Sequence, residues 1–172
     1  MGRSGDGDDG AGVAFVRAFG RKGGAGERAG WRCEDVGTVP ENAGGVIRRA
    51  PGGLVVVVDA ADLGLSAGEV RRVRPEELES AGFGTHAPEP VLLDGYLRSA
   101  GAREVAWVGI QAERLEGRGL SRAVREGLRR LGRVLGKGAE GVGEIGWWEG
   151  AGRWDTETLG PWDAGTLGRG GR

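Results

Sequence analysis

Hydrophobic positions along the chain change period several times, in an order that predicts an α/β fold. "AGVAFVRAFG" (11–20) places Val13, Val16 and Phe19 on one helical face, with Gly20 as a stop. The glycine-rich residues 20–30 read as a loop, "WRCEDVG" (31–37) as a strand, and "ENAGGVIRRA" (41–50) as a short helix that turns Val46 and Ile47 inward. "LVVVVDA" (54–60) is a continuous β-branched run bounded by Gly52 and Gly53, the pattern of a central strand buried on both faces. "GEVRRVRPEEL" (68–78) reads as a polar edge strand that runs into a helical turn at Pro75. "PEPVLLDGYLRSAG" (88–101) has proline at its start and glycine at its end, as helices do, and "EVAWVGIQ" (104–111) is a second buried strand. In "LSRAVREGLRRLGRVLGKG" (120–138), Leu120, Val124, Leu128, Leu131 and Leu135 form one stripe and the arginines lie elsewhere, the signature of an amphipathic helix.

The expected architecture is a three-layer α/β/α sandwich around a twisted, mostly parallel sheet, occupying residues 1–137. After Gly138 no period persists, so residues 138–172, rich in glycine and tryptophan, read as a disordered tail. Trp147, Trp148, Trp154 and Trp162 are unusual there, because disordered segments are poor in aromatics.

Composition then removes several function classes. A length of 172 residues suits one domain, and a net charge of -1 offers no electrostatic footprint for wrapping nucleic acid. No apolar run approaches the roughly 20 residues needed to span a bilayer, and the polar N-terminus is no signal peptide, so a cytoplasmic protein is expected. Cys33, the single cysteine, excludes an intrachain disulfide. His86, the single histidine, excludes sites built on two imidazoles, such as H-E-x-x-H.

In open parallel sheets, ligands bind beyond the carboxyl ends of strands. Asp59 ends the most apolar strand, and His86 lies in the loop ahead of the 88–101 helix. Were a strand to precede "GDGDDG" (5–10), Asp8 and Asp9 would reach the same edge. Two carboxylates and one imidazole suit nickel, zinc, iron or manganese. A metal so held polarises a carbonyl and acidifies a bound water, and a free carboxylate can serve as general base. Acidic residues beside glycine also mark turns, and strand-end aspartates also cap helices, so spacing alone leaves a structural role open.

Other polar residues read as structural. Cys33 falls mid-strand with no oriented partner for a thiol–His86 pair, and neither Ser66 nor Ser121 stands in a nucleophile-elbow context. Glu41 and Asn42 read as caps of the next helix, Asp62 as a hydrogen-bonding support for the loop after Asp59, and the arginines at 122, 125, 129, 130 and 133 as a solvated face.

"GDDGAG" (7–12), "VPEN" (39–42), "VVVDAADLGLSAGEVRRVRPEEL" (56–78), "THAPEP" (85–90) and "VAWVGIQ" (105–111) resemble, in order and register, the hydrogenase maturation endopeptidases, above all the branch serving hydrogenase 3 and coenzyme F420-reducing enzymes. The resemblance covers roughly residues 2–136. It implies a cytoplasmic peptidase that removes the C-terminal extension of a nickel–iron hydrogenase large-subunit precursor once nickel has been inserted. By position, it assigns the metal-contacting and catalytic roles to Asp9, Asp59 and His86. Nickel would then be supplied by the precursor, since a chain with one histidine would hold a metal of its own weakly. The resemblance also gives Glu41 and Asn42 a place lining the cleft.

In this family an apolar strand ending in Gly-Asn precedes the acidic motif, whereas here Gly2 and Arg3 stand at those positions. The expectation is that the natural protein carries further apolar residues upstream of Met1, since an absent central strand would leave an apolar sheet edge unpaired. The alternative reading, favoured by Arg3 and the tryptophan-rich tail, is a non-catalytic metal-sensing docking module or an inactive, N-terminally truncated paralogue.

Overall fold

The computed structural model describes residues 7–21, 27–37, 39–78 and 90–149. In chain order, α1 (Ala11–Arg21) follows a 3-10 turn at Gly7–Gly10; β1 (Glu27–Arg28) and β2 (Trp31–Arg32) come next, then a 3-10 turn at Pro40–Asn42 and α2 (Ala43–Arg49). β3 (Leu54–Ala61), β4 (Val70–Val73), a 3-10 turn at Pro75–Glu77, α3 (Pro90–Ser99), β5 (Glu104–Gln111), α4 (Arg122–Leu135) and a 3-10 turn at Ala139–Glu144 complete the order.

The main sheet runs β3-β5-β4. β3 and β5 pair in parallel from Leu54 opposite Glu104 to Ala61 opposite Gln111, and β4 lies antiparallel to β5. Side-chain alternation splits the sheet into two apolar faces. Val55, Val57, Val73, Val105 and Trp107 pack with Ile47 of α2 and Leu93 and Leu97 of α3. Val56, Val58, Ala106, Val108 and Ile110 pack with Phe15 and Phe19 of α1 and with Val124, Leu131 and Leu135 of α4. Each fully buried aliphatic or aromatic side chain contributes about 1.5–3 kcal/mol, so these two layers are the main stabilising term. The resulting α/β/α layering is the expected one, while the described strands form a mixed sheet.

Several expectations need correction. Among the described strands, β5, buried from Val105 to Gln111, occupies the middle, and the β-branched strand at 54–61 lies beside it with Leu54–Val57 half-buried. Of the strand expected over 31–37, Trp31–Arg32 is extended and paired with Glu27–Arg28, and Asp35–Gly37 is instead a turn, in which Gly37 takes a φ of +55° and donates its N–H to Asp35 Oδ1 at 3.1 Å. On α1 the buried face uses Val13, Phe15 and Phe19, with Val16 half-buried at its margin. The tail does not begin at residue 138: Val142, Ile145 and Trp148 are buried, and Trp147 bridges to Arg72 of β4. Residues 150–172, with Trp154 and Trp162, and the strand expected upstream of Gly7 lie outside the described residues.

Where α4 crosses the segment entering β4, backbone touches backbone. A Cβ at Gly127 would lie 2.3 Å from the Gly68 carbonyl oxygen, and Gly68 itself has a φ of +78°, so both positions require glycine. No described helix is long and apolar enough to cross a membrane.

Candidate active site

The carboxyl ends of β3 and β5, together with the Gly7–Gly10 turn, form one edge of the sheet. Gly7 takes a φ of +57°, and its N–H donates to the Gly117 carbonyl at 2.7 Å, which pins the turn to the loop after β5. The Asp8 N–H adds a bond to the Arg114 carbonyl at 3.0 Å.

The two adjacent carboxylates in this turn have different environments. Asp8 is fully buried, and its carboxylate accepts the N–H groups of Ser121 at 2.6 Å, Glu113 at 2.9 Å and Arg114 at 3.1 Å. Burial by itself would raise its pKa, but the amides of Ser121, Arg114 and Glu113 and the Ser121 hydroxyl outweigh it and hold Asp8 below the ordinary 3.8. Asp8 is therefore an anchor, ionised and committed to backbone donors. Asp9 is half-buried, and its charge acts on Asp59.

Asp59, at 3 % exposure, accepts the Ala60 N–H at 3.0 Å. Burial pushes its carboxyl up to about 6, with the Asp9 charge adding to the rise and the Ala60 N–H opposing it. A carboxylate titrating near 6 exchanges protons readily at neutral pH. Asp9 and Asp59 are thus brought to the same sheet edge as expected, whereas His86 lies outside the described residues. Among the described residues there is no group of three His, Cys, Asp or Glu side chains able to hold a metal. The pair alone is an acidic half-site that can receive a cation or activate a water.

The loop after Asp59 is held by side chains that sequence reading passed over. Gln111, at the end of β5, accepts the N–H groups of Leu63 at 2.6 Å and Leu65 at 3.1 Å, and its Nε2 donates to Asp62 Oδ1 at 3.4 Å. Asp62 also accepts the Gly64 N–H, the supporting role expected of it. Position at the end of a buried strand was the available clue to Gln111, the same signal that marks Asp59.

The remaining candidates are structural. Cys33 is half-buried, and burial pushes its thiol up, away from the reactive thiolate. Ser121 caps α4, its hydroxyl accepting the Val124 N–H at 3.2 Å. Asn42 precedes α2 but makes no side-chain cap bond, a correction to its expected role; the Glu41 carbonyl accepts the Tyr96 hydroxyl at 3.1 Å instead. The five α4 arginines are exposed, and Arg130 also donates to the Gly68 carbonyl. A groove of about 290 Å³ runs along β3, lined by residues such as Phe19, Trp31, Leu54 and Val56. Neither Asp9 nor Asp59 lines it, so this apolar groove and the acidic pair are separate features.

Residues 24–135 match the HycI hydrogenase maturation protease family. The hydrogenase 3 maturation protease of Escherichia coli K12 is 35% identical over 115 residues, which is 66% of this chain and 70% of that protein. The solution structure of the endopeptidase HycI from Escherichia coli superposes with a TM-score of 0.72 at 27% identity, over 86% of this chain and 92% of that one. A crystal structure of a hydrogenase 3 maturation protease gives 0.68 at 28% identity, over 86% and 92%.

Proposed function

Because the chain belongs to the hydrogenase maturation protease family, we propose that it cuts the C-terminal extension from a nickel-loaded large-subunit precursor, using Asp9, Asp59 and His86 to contact the nickel carried by that substrate. The observation that carries this reading is the juxtaposition of Asp9 with a buried Asp59 at the carboxyl end of a parallel strand pair. Asp8 secures the turn that brings Asp9 there.

In this reading the precursor's nickel docks against the two carboxylates and the imidazole, which places the scissile peptide at the sheet edge. A carboxylate of the pair takes a proton from water as the water oxygen attacks the peptide carbonyl. It returns that proton to the departing amine nitrogen, so the proton balance closes on one group. Nickel is part of the substrate here, and the enzyme needs no resident metal of its own. A cytoplasmic location goes with the proposed substrate.

The test is the mass of a nickel-loaded precursor after incubation with this protein. Loss of one C-terminal peptide, dependent on nickel and abolished by Asp9→Asn and by His86→Ala, is the expected result. Binding without cleavage would replace this reading with the docking module.

A further inference from the structure

We propose that Ala139–Trp148 is a strap that sets the loop following Asp59, with Trp148 as a positioning residue for peptide cleavage; the role rests on the endopeptidase reading above. The strap lies outside the residues that match the family model, which end at 135.

Pairing with β5 fixes the chain only as far as Ala61. Beyond it, Leu63 is held through both of its backbone groups by side chains from elsewhere in the fold. Its N–H donates to Gln111 Oε1 at 2.6 Å, and its carbonyl accepts the Trp148 indole N–H at 2.9 Å, both contacts being buried. The direction in which the chain leaves the acidic edge, and with it the place of Asp62, is therefore decided by β5 on one side and by the strap on the other.

The strap is itself tied down away from the site. The Arg72 N–H donates to the Gly146 carbonyl at 2.8 Å, the Trp148 N–H donates to the Arg72 carbonyl at 2.7 Å, and Arg72 Nε donates to the Ile145 carbonyl at 2.8 Å. The Arg72 guanidinium also stacks 4.4 Å from the Trp147 ring centroid. Gly141 packs on α4 so closely that a Cβ there would meet the Val134 carbonyl oxygen at 2.1 Å. Trp148, at 6 % exposure, thus reaches the loop from a base built on β4 and α4. Small displacements of groups around a reacting centre cost rate steeply, which is why a clamp one loop away can matter to turnover.

Trp148→Phe in the full chain removes the indole N–H and keeps an aromatic ring in the core. Two measurements decide the proposal: amide hydrogen exchange at Leu63 and Leu65, and steady-state processing of the nickel-loaded precursor. Expected are exchange faster by about tenfold at these two amides, unchanged protection across β5, and a kcat lower by about tenfold, the scale of one buried hydrogen bond, with KM for the precursor within about twofold. Arg72→Lys, which loosens the strap from the far side of β4, should move the same quantities in the same direction by less, and it stands in if Trp148→Phe fails to fold. Faster exchange with an unchanged kcat would overturn the positioning role, and unchanged exchange would overturn the strap itself. A wild-type chain that cuts no precursor would overturn the processing reading and the positioning role with it, while the exchange data still report whether the clamp exists.

Discussion

Replacing Asp59 with asparagine exchanges a buried, titrating carboxyl for a neutral group of the same shape. Its carboxyl sits at about 6 in the folded protein against 3.8 ordinarily, and at about 1.4 kcal/mol per tenfold this gap corresponds to a cost of about 3 kcal/mol for keeping it ionised. Between 3.8 and about 6 the folded chain retains a proton that the unfolded chain has released, so this group makes the protein more stable as pH falls through that window. Above about 6 the whole cost is present. Asparagine keeps an oxygen for the Ala60 N–H at 3.0 Å and does not titrate. At pH 8, Asp59→Asn should therefore be more stable than the parent by about 1–3 kcal/mol, the lower figure allowing for its amide N–H groups, which need partners of their own. The advantage should shrink as pH approaches 4, while precursor processing is lost at every pH. Urea unfolding followed by tryptophan fluorescence at pH 8, 6 and 4.5 measures it. Equal midpoints at pH 8 would refute the argument that Asp59 stores a buried charge at the expense of stability.

Asp8→Ala strips three backbone N–H groups of their acceptor and should cost about 3 kcal/mol or more, read as a lower urea midpoint at pH 7. Because the Asp8 pKa is lowered, its stabilisation is complete above 3.8 and fades as pH falls through its folded value, so the parent should lose stability in strong acid and the variant should lose less. Gly127→Ala drives a Cβ to 2.3 Å from the Gly68 carbonyl oxygen and should destabilise by about 2–4 kcal/mol. Gly132→Ala in the same helix meets nothing nearer than Phe19 at 3.7 Å and should gain about 0.5–1 kcal/mol, so a comparable loss at both positions would contradict the packing account. Thermal melts of the pair decide it.

Local periodicity was enough to find α4, because Val124, Leu131 and Leu135 recur at helical spacing whatever they pack against. It was enough to find both long strands and to put Asp59 at the end of one. It did not rank them in the sheet. Leu54–Val58 is the more apolar run, yet among the described strands it is β5 that is paired on both sides, because place in a sheet is set by pairing partners and not by the strand's own composition. Val16 and Phe15 are both apolar neighbours on α1, and only docking on β3 decided which one is buried. Residues 139–148 read as tail because a 3-10 turn followed by a single bridge at Trp147 buries single side chains, leaving no period to read.

The site divides along the same line. The sequence by itself marked an acidic pair near the N-terminus, a strand-end aspartate and one histidine as the chemistry available to this protein. Which member of the pair is the anchor was decided only by the tertiary structure, where Asp8 meets amides of Glu113 and Ser121, over a hundred residues away, and Asp9 is left beside Asp59. Tertiary structure alone also joined Gln111 and Trp148 through Leu63. Period and composition are properties of neighbours along the chain, whereas these roles depend on donors and acceptors that become neighbours only once the layers have packed.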